Sequence, residues 1–535
     1  MESWCNYKMR KKLTGKNFVS QVCTYGFFAE QFPECFTSEN FAKHINELLP
    51  LVEATKSQRE KSRKNTTSPS TLSTYKNDIS RRILSVSNPE AFLRLVKFIQ
   101  NNWEQIIEYA KSPNSLSTIT FWRFYDSSEA EELINCESIR EYFKAKSDFI
   151  TGVKNTIRAS LGYKYKLKVD IANCYNSLYT HSISWAICGK EKAKEYLRTK
   201  TPLEIKDDYE IADCLDAFIR FQKNNETNGI IVGPYTSRVI SEIILARIDK
   251  ELSEKGLKFR RYVDDYKMFF RTESQAQESL PIIEKVLNEY NLSLNTAKTE
   301  IQKYPYETIS HLKDAFEKAL ERDGVFGVLN TASELFSSGE KGAYKYALKF
   351  IKDTPISLDD IDIIIPTLIN IMLIDPRYGK YITKYLIKNI YFIDKKKHEH
   401  VLNRELSCSL DNQLQQESLL FIQMLRDLNL NVTAENIIKV LNGDKDYAII
   451  IALDFWKNNK HRVIRTQTEA RKINQAIDKL LEKLKGEKLS GARWFLLYEI
   501  IVNELVPKTK QPEIEKNAFF EKMLELGISF YKTVK

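Results

Sequence analysis

The sequence predicts an α+β protein whose C-terminal half is entirely helical. Its 535 residues allow two to four domains at roughly 150 residues per domain. Hydrophobic residues make up 43% of the chain, which is enough for large cores, while 17 glycines and 14 prolines are too few for a turn-rich all-β architecture. Strand-like alternation is confined to residues 151–305, and almost every window after residue 306 has helical spacing.

The N-terminal region, residues 1–150, is mixed in character. Helical spacing predicts helices at Phe41–Val52 and Pro89–Ala110. Between them, Lys56–Ser70 is basic, rich in serine and threonine and almost free of apolar residues. This segment is therefore predicted to be an exposed loop.

The C-terminal region, residues 306–535, is predicted to be an array of helices of roughly 10–18 residues. Short breaks between the helices suggest a HEAT-like or other α-solenoid arrangement, although no clean repeat period is present. Ser357 and Thr433 are placed to cap the start of a helix. Helix stops are predicted at Gly339, Pro355, Pro376 and Gly443.

Several properties exclude other classes of protein. The N-terminus lacks a signal pattern and the most apolar run, Ile361–Ile374, is too short for a bilayer, so we expect a cytoplasmic protein without a membrane partner. The eight cysteines include no CxxC pair, which argues against a zinc site. His398 and His400, beside three lysines, are predicted to lie in a solvated loop. The net charge of +10 permits an anionic partner but cannot locate its site.

Residues Tyr163–Ile171 alternate in a way that predicts a β-strand. Every second position is apolar and faces inward, and the positions between them hold Lys164, Lys166, Lys168 and Asp170. Asp170 is therefore expected at the end of the strand, on its basic, solvent-facing side.

Residues Phe259–Arg271 predict a β-hairpin with an acidic pair, Asp264 and Asp265, at its turn. Adjacent carboxylates repel each other and raise each other's pKa, a cost that a divalent cation relieves. Mg²⁺ binds one or two carboxylates together with substrate phosphates. A third carboxylate from a neighbouring strand, for which Asp170 is the candidate, would complete a site for two ions that activate a 3′-hydroxyl and stabilise the leaving pyrophosphate.

Taken in order along the chain, these residues resemble the palm motifs of a reverse transcriptase. The motifs that carry the resemblance are Asp170 with Tyr175, the Tyr-Val-Asp-Asp run at 262–265, and the run at 294–299. Between the first two lies a segment, 228–238, that resembles the part of a reverse transcriptase supporting the template and the incoming base. The resemblance implies a catalytic palm.

A narrower resemblance connects the chain to the abortive-infection (Abi) reverse transcriptases of bacterial phage defence. The segments similar to that family are Tyr25-Gly26, Asn173–Ser182, Trp185 and Gly189-Lys190. The resemblance implies a fingers-like region over residues 1–150, a reverse transcriptase palm over 151–305 and an all-α C-terminal domain over 306–535. A thumb after Lys298 is not apparent, because helical spacing begins almost at once.

The resemblance also implies a role for each site residue. The three aspartates would bind two Mg²⁺ ions, for which Mn²⁺ could substitute, and Lys298 would act on the departing pyrophosphate as general acid or charge stabiliser. Tyr175 would lie under the sugar of an incoming dNTP and leave no room for a 2′-hydroxyl. Ile171 and Gly233 would complete the nucleotide-binding residues, the glycine because it allows close approach of the backbone.

A member of the Abi family is expected to be a DNA polymerase of antiphage defence that needs no template. Its primer would be a tyrosine of the protein, so that the single-stranded DNA product stays covalently attached. A tyrosine hydroxyl can replace a 3′-hydroxyl because both are oxygen nucleophiles. Tyr25 is the candidate primer. The family also implies homo-oligomers.

Two other functions stay open at this stage. The first is a templated RNA-directed DNA polymerase of the retron or group II intron kind. The second is a polymerase-derived scaffold that binds nucleic acid or a phage protein without catalysis. The presence of all three aspartates together with Tyr175 and Lys298 argues against the scaffold.

Overall fold

The computed structural model describes residues 11–52, 66–117, 119, 121–122, 156–305, 312–340 and 342–533. Its strands are β1 (Lys11–Lys12), β2 (Ser70–Tyr75), β3 (Arg81–Val86), β4 (Phe121–Trp122), β5 (Tyr165–Asp170), β6 (Phe259–Tyr262), β7 (Asp265–Phe270), β8 (Glu300–Lys303), β9 (Val432–Thr433) and β10 (Val463–Ile464).

Helices form most of the rest of the described chain. They are α1 (Phe18–Tyr25), α2 (Glu39–Lys43), α3 (Ile45–Leu48), α4 (Pro89–Asn101), α5 (Trp103–Tyr109), α6 (Cys174–Ser177), α7 (Ser182–Cys188), α8 (Lys190–Thr199), α9 (Lys206–Phe221), α10 (Tyr235–Glu254), α11 (Glu273–Asn288), α12 (Leu312–Ser337), α13 (Ala343–Phe350), α14 (Ile361–Ile374), α15 (Gly379–Lys388), α16 (Lys395–Asp411), α17 (Gln415–Asp427), α18 (Ala434–Asn442), α19 (Asp446–Asn458), α20 (Gln467–Leu484), α21 (Trp494–Val502) and α22 (Ala518–Glu525). The fold is therefore an α+β mixture with a helical C-terminal region, as predicted.

The chain forms two compact units. The first comprises residues 1–27, 45–68 and 87–309, and the second comprises the remaining segments, 28–44, 69–86 and 310–535. Two stretches of the N-terminal region are thus grouped with the helical C-terminal region.

A four-stranded antiparallel sheet in the order β6-β7-β5-β8 forms the centre of the first unit. Strand β5 pairs with β7 from Tyr165 opposite Phe270 to Asp170 opposite Asp265. Strands β6 and β7 form the predicted hairpin. Its turn contains Val263 at φ 56°, a left-handed conformation that β-branched residues rarely adopt. The turn therefore needs support from its surroundings.

One face of this sheet is apolar and buried. Leu167 and Val169 of β5 and Tyr266 and Met268 of β7 are each at most 1% exposed. Helix α11 packs against both strands, and its buried side chains include Ala276, Ile283, Val286 and Leu287. Burial of one such aliphatic side chain contributes about 1.5–3 kcal/mol, so this face fixes the register of the sheet.

The opposite face of β5 differs from the prediction. Lys168 is half-buried, but Lys166 and Asp170 are only 5% and 6% exposed. Lys166 lies directly opposite Phe269 of β7 and Gln302 of β8, whose side chains project to the same face and cover it in part. The prediction that the lysines and Asp170 all face solvent is therefore wrong.

The second unit contains helices α12 to α22 and confirms two predicted caps. The Thr433 hydroxyl accepts a hydrogen bond from the Asn436 backbone and begins α18, and Ser357 accepts one from Asp359 at the start of a short 3₁₀ turn. The unit also contains the parallel pair β9–β10, two residues long in each strand.

A β-hairpin, β2–β3, belongs to the second unit and was not predicted. Strand β2 begins at Ser70, the last residue of the predicted Lys56–Ser70 loop, of which residues 56–65 lie outside the described part of the chain. Two glutamines at the start of α17 accept hydrogen bonds from backbone N–H groups of β2 at 2.7 and 2.6 Å. The hairpin therefore depends on contacts with a helix some 340 residues further along the chain.

The histidines near residue 400 also differ from the prediction. His398 lies in α16, is 8% exposed, and its Nδ1 is 2.7 Å from the carbonyl oxygen of Asp394, whereas His400 is exposed. The expected solvated loop is therefore wrong, since these residues form the first turns of a helix capped by Asp394. Among the described helices, none has the length and apolar character needed to cross a bilayer.

Candidate active site

Three carboxylates from two distant parts of the chain meet at one edge of the sheet. Asp170, the last residue of β5, pairs directly with Asp265, the first residue of β7, and Asp264 precedes it in the hairpin turn. One ligand oxygen from each side chain lies within 4.8 Å of the others. Asp170 is 6% exposed, whereas the other two are more accessible. The cluster is thus anchored on a buried residue and open at the turn.

Two side chains from the segment before β8 contact Asp170. Lys298 Nζ lies 3.0 Å from Asp170 Oδ2, and the Lys298 side chain is 60% exposed. Asn295 Nδ2 donates to the same oxygen at 2.8 Å, and its backbone N–H donates to the Asp170 carbonyl at 2.8 Å. Because the two side chains share one oxygen, they fix the orientation of the carboxylate and place a cation beside it.

The electrostatics of the cluster favour a divalent cation. Burial, followed by the charges of Asp264 and Asp170, raises the pKa of Asp265 above its ordinary value. The lysines at 168 and 298 act in the opposite direction. All the donor atoms are oxygens, which suit hard cations such as Mg²⁺ and Mn²⁺. The residues present therefore fit a divalent metal ion.

Arg261 supports the hairpin turn from the buried side of the sheet. Its side chain is completely buried and pairs with Asp249 at 2.8 Å and Glu242 at 3.1 Å, both from α10. Its Nη1 also donates to the backbone carbonyl of Val263 at 2.9 Å. The two carboxylates raise the pKa of Arg261, so the guanidinium stays charged. Arg261 is therefore a buried anchor of the turn and has no contact with solvent.

Tyr175 lies on the short helix α6, five residues after Asp170 in sequence. Its hydroxyl is 3.4 Å from Ser241 Oγ of α10, and its carbonyl accepts from the Ile230 backbone at 2.8 Å. Burial raises the pKa of Tyr175 to about 12, so the phenol stays neutral. The hydroxyl of Tyr175 is therefore held next to α10, and its backbone is bonded to the segment that precedes that helix.

Gly229 allows this segment to approach α6. It has φ +76°, and a Cβ there would lie 2.6 Å from the backbone oxygen of Asn176, the residue after Tyr175. The Gly229 N–H donates to the Leu178 carbonyl at 2.8 Å. A residue with a side chain would push α6 away, so glycine at this position determines where the Tyr175 ring lies.

The remaining predicted site residues are Ile171, Gly233 and Tyr25. The Ile171 backbone N–H donates to the Asp264 carbonyl at 3.3 Å, which joins the end of β5 to the turn. Gly233 has φ 143° and lies two residues before Tyr235, which begins α10. The Tyr235 N–H donates to the Gly26 carbonyl at 2.8 Å, and the neighbouring Tyr25 is 43% exposed at the end of α1.

Sequence reasoning missed four residues that shape the site. Asn295 lies in the run at 294–299 but has no role predicted from the sequence, and Glu242 and Asp249 of α10 have none either. The sequence does contain a pattern that points to Glu242 and Asp249. They are seven residues apart, which places them on the same face of α10, among apolar residues, and two buried carboxylates need a buried cation. Arg261, the fourth residue, occupies a buried position of β6 between Arg260 and Tyr262.

Residues 117–313 match the model of the family described as "Reverse transcriptase (RNA-dependent DNA polymerase)". The matched segment contains the three aspartates, Tyr175 and Lys298. This match identifies a reverse transcriptase domain in the chain. A domain of this type is a nucleotidyltransferase of the RNA-directed DNA polymerase kind. No curated protein matches the sequence.

Solved structures of telomerase are similar to the chain at low sequence identity. The apo enzyme from Candida tropicalis has 11% identity and a TM-score of 0.31, with coverage of 95% of this chain and 77% of the other. A form of it truncated from the C-terminal domain has 13% identity and a TM-score of 0.27, with coverage of 50% and 56%. The Candida albicans telomerase in complex with the TWJ fragment of telomeric RNA has 12% identity and a TM-score of 0.26, with coverage of 77% and 69%. At these TM-scores the likeness carries no structural argument.

Proposed function

We propose that the chain is a DNA polymerase of the reverse transcriptase type that joins deoxynucleotides with two Mg²⁺ ions, for which Mn²⁺ can substitute. The observation that carries this proposal is the meeting of Asp170, Asp264 and Asp265 within 4.8 Å, beside Lys298. When bound by these carboxylates, the ions would activate the attacking hydroxyl and neutralise the leaving pyrophosphate.

Two side chains of the protein add to this chemistry. The exposed ammonium of Lys298, next to the carboxylates, can donate a proton or a charge-assisted hydrogen bond to an oxygen of the leaving pyrophosphate. The Tyr175 ring, whose hydroxyl lies 3.4 Å from Ser241 Oγ, would present a flat surface to the sugar of the nucleotide. A ring in that position would exclude a 2′-hydroxyl, so the substrates would be dNTPs.

The resemblance to Abi reverse transcriptases supports a more specific role. In this role the enzyme acts in antiphage defence in the bacterial cytoplasm, needs no template, and uses one of its own tyrosines as primer. The hydroxyl oxygen of that tyrosine would bond to the α-phosphorus of a dNTP, pyrophosphate would leave, and the proton would pass to solvent. Tyr25 is the proposed primer because its side chain is 43% exposed. Homo-oligomers are part of the same proposal.

Polymer formation by the purified chain tests the polymerase proposal. Labelled dNTPs and Mg²⁺, without added primer or template, should yield DNA with the wild type and none with Asp264→Asn. Asp444→Asn removes an exposed carboxylate from the second unit and should leave synthesis unchanged. If neither the wild type nor Asp264→Asn makes polymer, either in this assay or with an added RNA template and primer, while both fold, the non-catalytic scaffold is the better account.

Mass spectrometry of the product then tests priming and the use of a template. After nuclease and protease treatment, a deoxynucleotide should remain on the peptide that contains Tyr25. Recovery on another tyrosine would remove Tyr25 and leave the polymerase proposal standing. A product whose sequence copies an added RNA would instead favour a templated RNA-directed DNA polymerase, the activity that the matched family's description names.

A further inference from the structure

Two donors of different charge reach one oxygen of Asp170. A 3₁₀ turn over Thr296–Lys298 begins after Asn295, and side chains three residues apart in such a turn project to the same side. The Asn295 amide donates to Asp170 Oδ2 at 2.8 Å, and Lys298 Nζ lies 3.0 Å from the same oxygen. Because a carboxylate oxygen has two lone pairs, the amide and the ammonium together use both of them.

The chain holds these two donors with different strength. The Asn295 backbone N–H donates to the Asp170 carbonyl at 2.8 Å, and the Ala172 N–H donates to the Ser293 carbonyl at 2.9 Å, so the Asn295 backbone is joined to the end of β5. The Lys298 side chain is 60% exposed, and Asp170 is its one carboxylate partner among the described residues. Solvent screens such an ion pair. The amide is therefore a fixed donor and the ammonium a removable one.

An ammonium and a metal ion require the same position at Asp170 Oδ2. Mg²⁺ binds carboxylate oxygens at about 2.1 Å, and two cations on one oxygen repel each other strongly. The Lys298 ammonium must therefore leave Oδ2 before that oxygen can bind an ion. The Asn295 amide is neutral and uses only one lone pair, so it can stay in place.

We propose that Lys298 competes with the metal ions for Asp170, and that Asn295 is a positioning residue that orients the carboxylate for them. Lys298 then leaves Asp170 as an ion binds, and its ammonium becomes available to an oxygen of the leaving pyrophosphate. This proposal rests on the polymerase function and adds the regulation of its metal site. Because the lysine that assists the reaction is released only where an ion has bound, metal binding and the action of Lys298 are coupled.

Lys168→Met is the matched control for Lys298→Met. Both variants remove one positive charge near the carboxylates, and the charge of Lys168 lowers the pKa of Asp265 more than that of Lys298 does. Among the described residues, however, Lys298 forms an ion pair with Asp170 and Lys168 does not. Simple repulsion predicts that the Lys168 variant gains at least as much metal affinity, whereas competition for Oδ2 predicts that the Lys298 variant gains more.

Thr299→Val is the matched control for Asn295→Leu. The Thr299 hydroxyl donates to the Asn295 carbonyl at 3.0 Å, so its removal loosens the same turn and leaves the Asn295 amide on Asp170. Loss of a hydrogen bond to a metal-binding carboxylate weakens metal affinity by about 10- to 100-fold. Asn295→Leu should show this loss and Thr299→Val should not. Urea unfolding establishes that each variant is folded.

The test is the affinity of the full chain for Mn²⁺ without dNTP, followed by electron paramagnetic resonance. Lys298→Met should bind Mn²⁺ about tenfold more tightly than the wild type, and Lys168→Met about twofold more tightly. Asn295→Leu should bind the ion at least about tenfold more weakly. The two donors to one oxygen therefore act with opposite sign, which a general effect on folding would not produce.

Acetylation of lysines provides a second readout that does not depend on catalysis. Mass spectrometry of peptides gives the rate at which an acetylating reagent modifies each lysine. Addition of Mn²⁺ should accelerate the acetylation of Lys298 several-fold, because an ammonium that has left its carboxylate loses its proton more easily. Lys303, an exposed lysine at the far end of β8, should react at the same rate with and without the ion.

Three results would overturn the proposal. Equal gains in Mn²⁺ affinity in Lys298→Met and Lys168→Met would leave repulsion as the sole cause, and equal losses in Asn295→Leu and Thr299→Val would give the amide a structural role only. An unchanged acetylation rate of Lys298 would show that the ammonium stays on Asp170. If the wild type binds Mn²⁺ and one of these results is found, the metal site and the polymerase function still stand. A wild type that binds no Mn²⁺ would remove the metal site itself, and with it both proposals.

Discussion

Arg261 donates to the backbone carbonyl of Val263 at 2.9 Å and so connects the buried side of the four-stranded sheet to the turn that carries Asp264. Val263 has φ 56°, a conformation that costs about 1–3 kcal/mol in a residue other than glycine. The hydrogen bond from the guanidinium to the Val263 carbonyl offsets this cost. Asp249 and Glu242 accept further hydrogen bonds from the same guanidinium and hold it in place. The position of the carboxylates therefore depends on a charge network that contains no metal ligand.

Removal of the Arg261 charge should unfold or loosen this region. Arg261→Gln leaves two buried carboxylates without a cation, which costs about 3–5 kcal/mol. Arg261→Lys keeps the charge but provides fewer donors, and should have a smaller effect. Urea unfolding measures both, and Arg271→Gln, an exposed position at the end of β7, serves as control. Equal stability of Arg261→Gln and the control would contradict the proposed anchor.

Gly229→Ala should displace the helix that carries Tyr175. The new methyl group would lie 2.6 Å from the Asn176 backbone oxygen, so α6 must shift. Gly256→Ala is a matched control, because Gly256 has almost the same φ, +78°, but open space around its missing side chain. Both variants carry the backbone cost of about 1 kcal/mol, and only Gly229→Ala should also lose dNTP incorporation. Incorporation rates that fall equally in the two variants would show that the collision has no consequence.

Tyr175→Ala should admit ribonucleotides. If the ring excludes a 2′-hydroxyl, its removal should raise the ratio of ribonucleotide to deoxynucleotide incorporation by at least tenfold, or about 1.4 kcal/mol. Tyr175→Phe keeps the ring and loses only the 3.4 Å contact with Ser241, so its selectivity should stay near that of the wild type. Single-nucleotide incorporation with each triphosphate measures the ratio. An unchanged ratio in Tyr175→Ala would assign the ring to the core alone.

A buried glutamate should give the second unit a pH-dependent stability. Glu499 is completely buried and accepts hydrogen bonds from the backbone of Phe530 and from Ser529 and Asn503. Burial raises its pKa from an ordinary value of 4.5 to about 7. The folded protein therefore binds this proton more tightly than the unfolded chain. Its contribution is fully present below about pH 4.5 and is lost as pH rises through 7.

Glu499→Gln should remove this pH dependence. Between pH 5 and pH 8 the free energy of unfolding of the wild type should fall by roughly 3 kcal/mol relative to the variant. Urea titrations followed by tryptophan fluorescence at several pH values provide the comparison. A difference between the two proteins that stays constant over this range would contradict the raised pKa.

The strand and the hairpin that carry the three carboxylates were predicted from the sequence. Alternation over β5 and the hairpin β6–β7 indicated both strands, and the acidic pair at the turn indicated the metal chemistry. These features are local, since a strand's period and a turn's composition are contained in a few consecutive residues. The caps at Ser357 and Thr433 were predicted for the same reason.

The features that the sequence did not predict depend on distant partners. Arg261 is buried because α10 provides two carboxylates, and Lys166 is buried because β5 has a neighbour on each side. Strand β2 is mostly polar in sequence, and its backbone N–H groups bond to glutamines of α17. The sequence around a charged residue therefore predicts that it is exposed, because the partner that allows its burial lies far away in the sequence.

Binding of Mn²⁺ followed by electron paramagnetic resonance tests the central claim most directly, because it reports on the carboxylates without the need for catalysis. The wild type should bind the ion, with a second ion when dNTP is present, and Asp170→Asn and Asp264→Asn should each lose this binding while they keep wild-type unfolding curves. Equal Mn²⁺ binding by the wild type and both variants would contradict a metal site at these three aspartates.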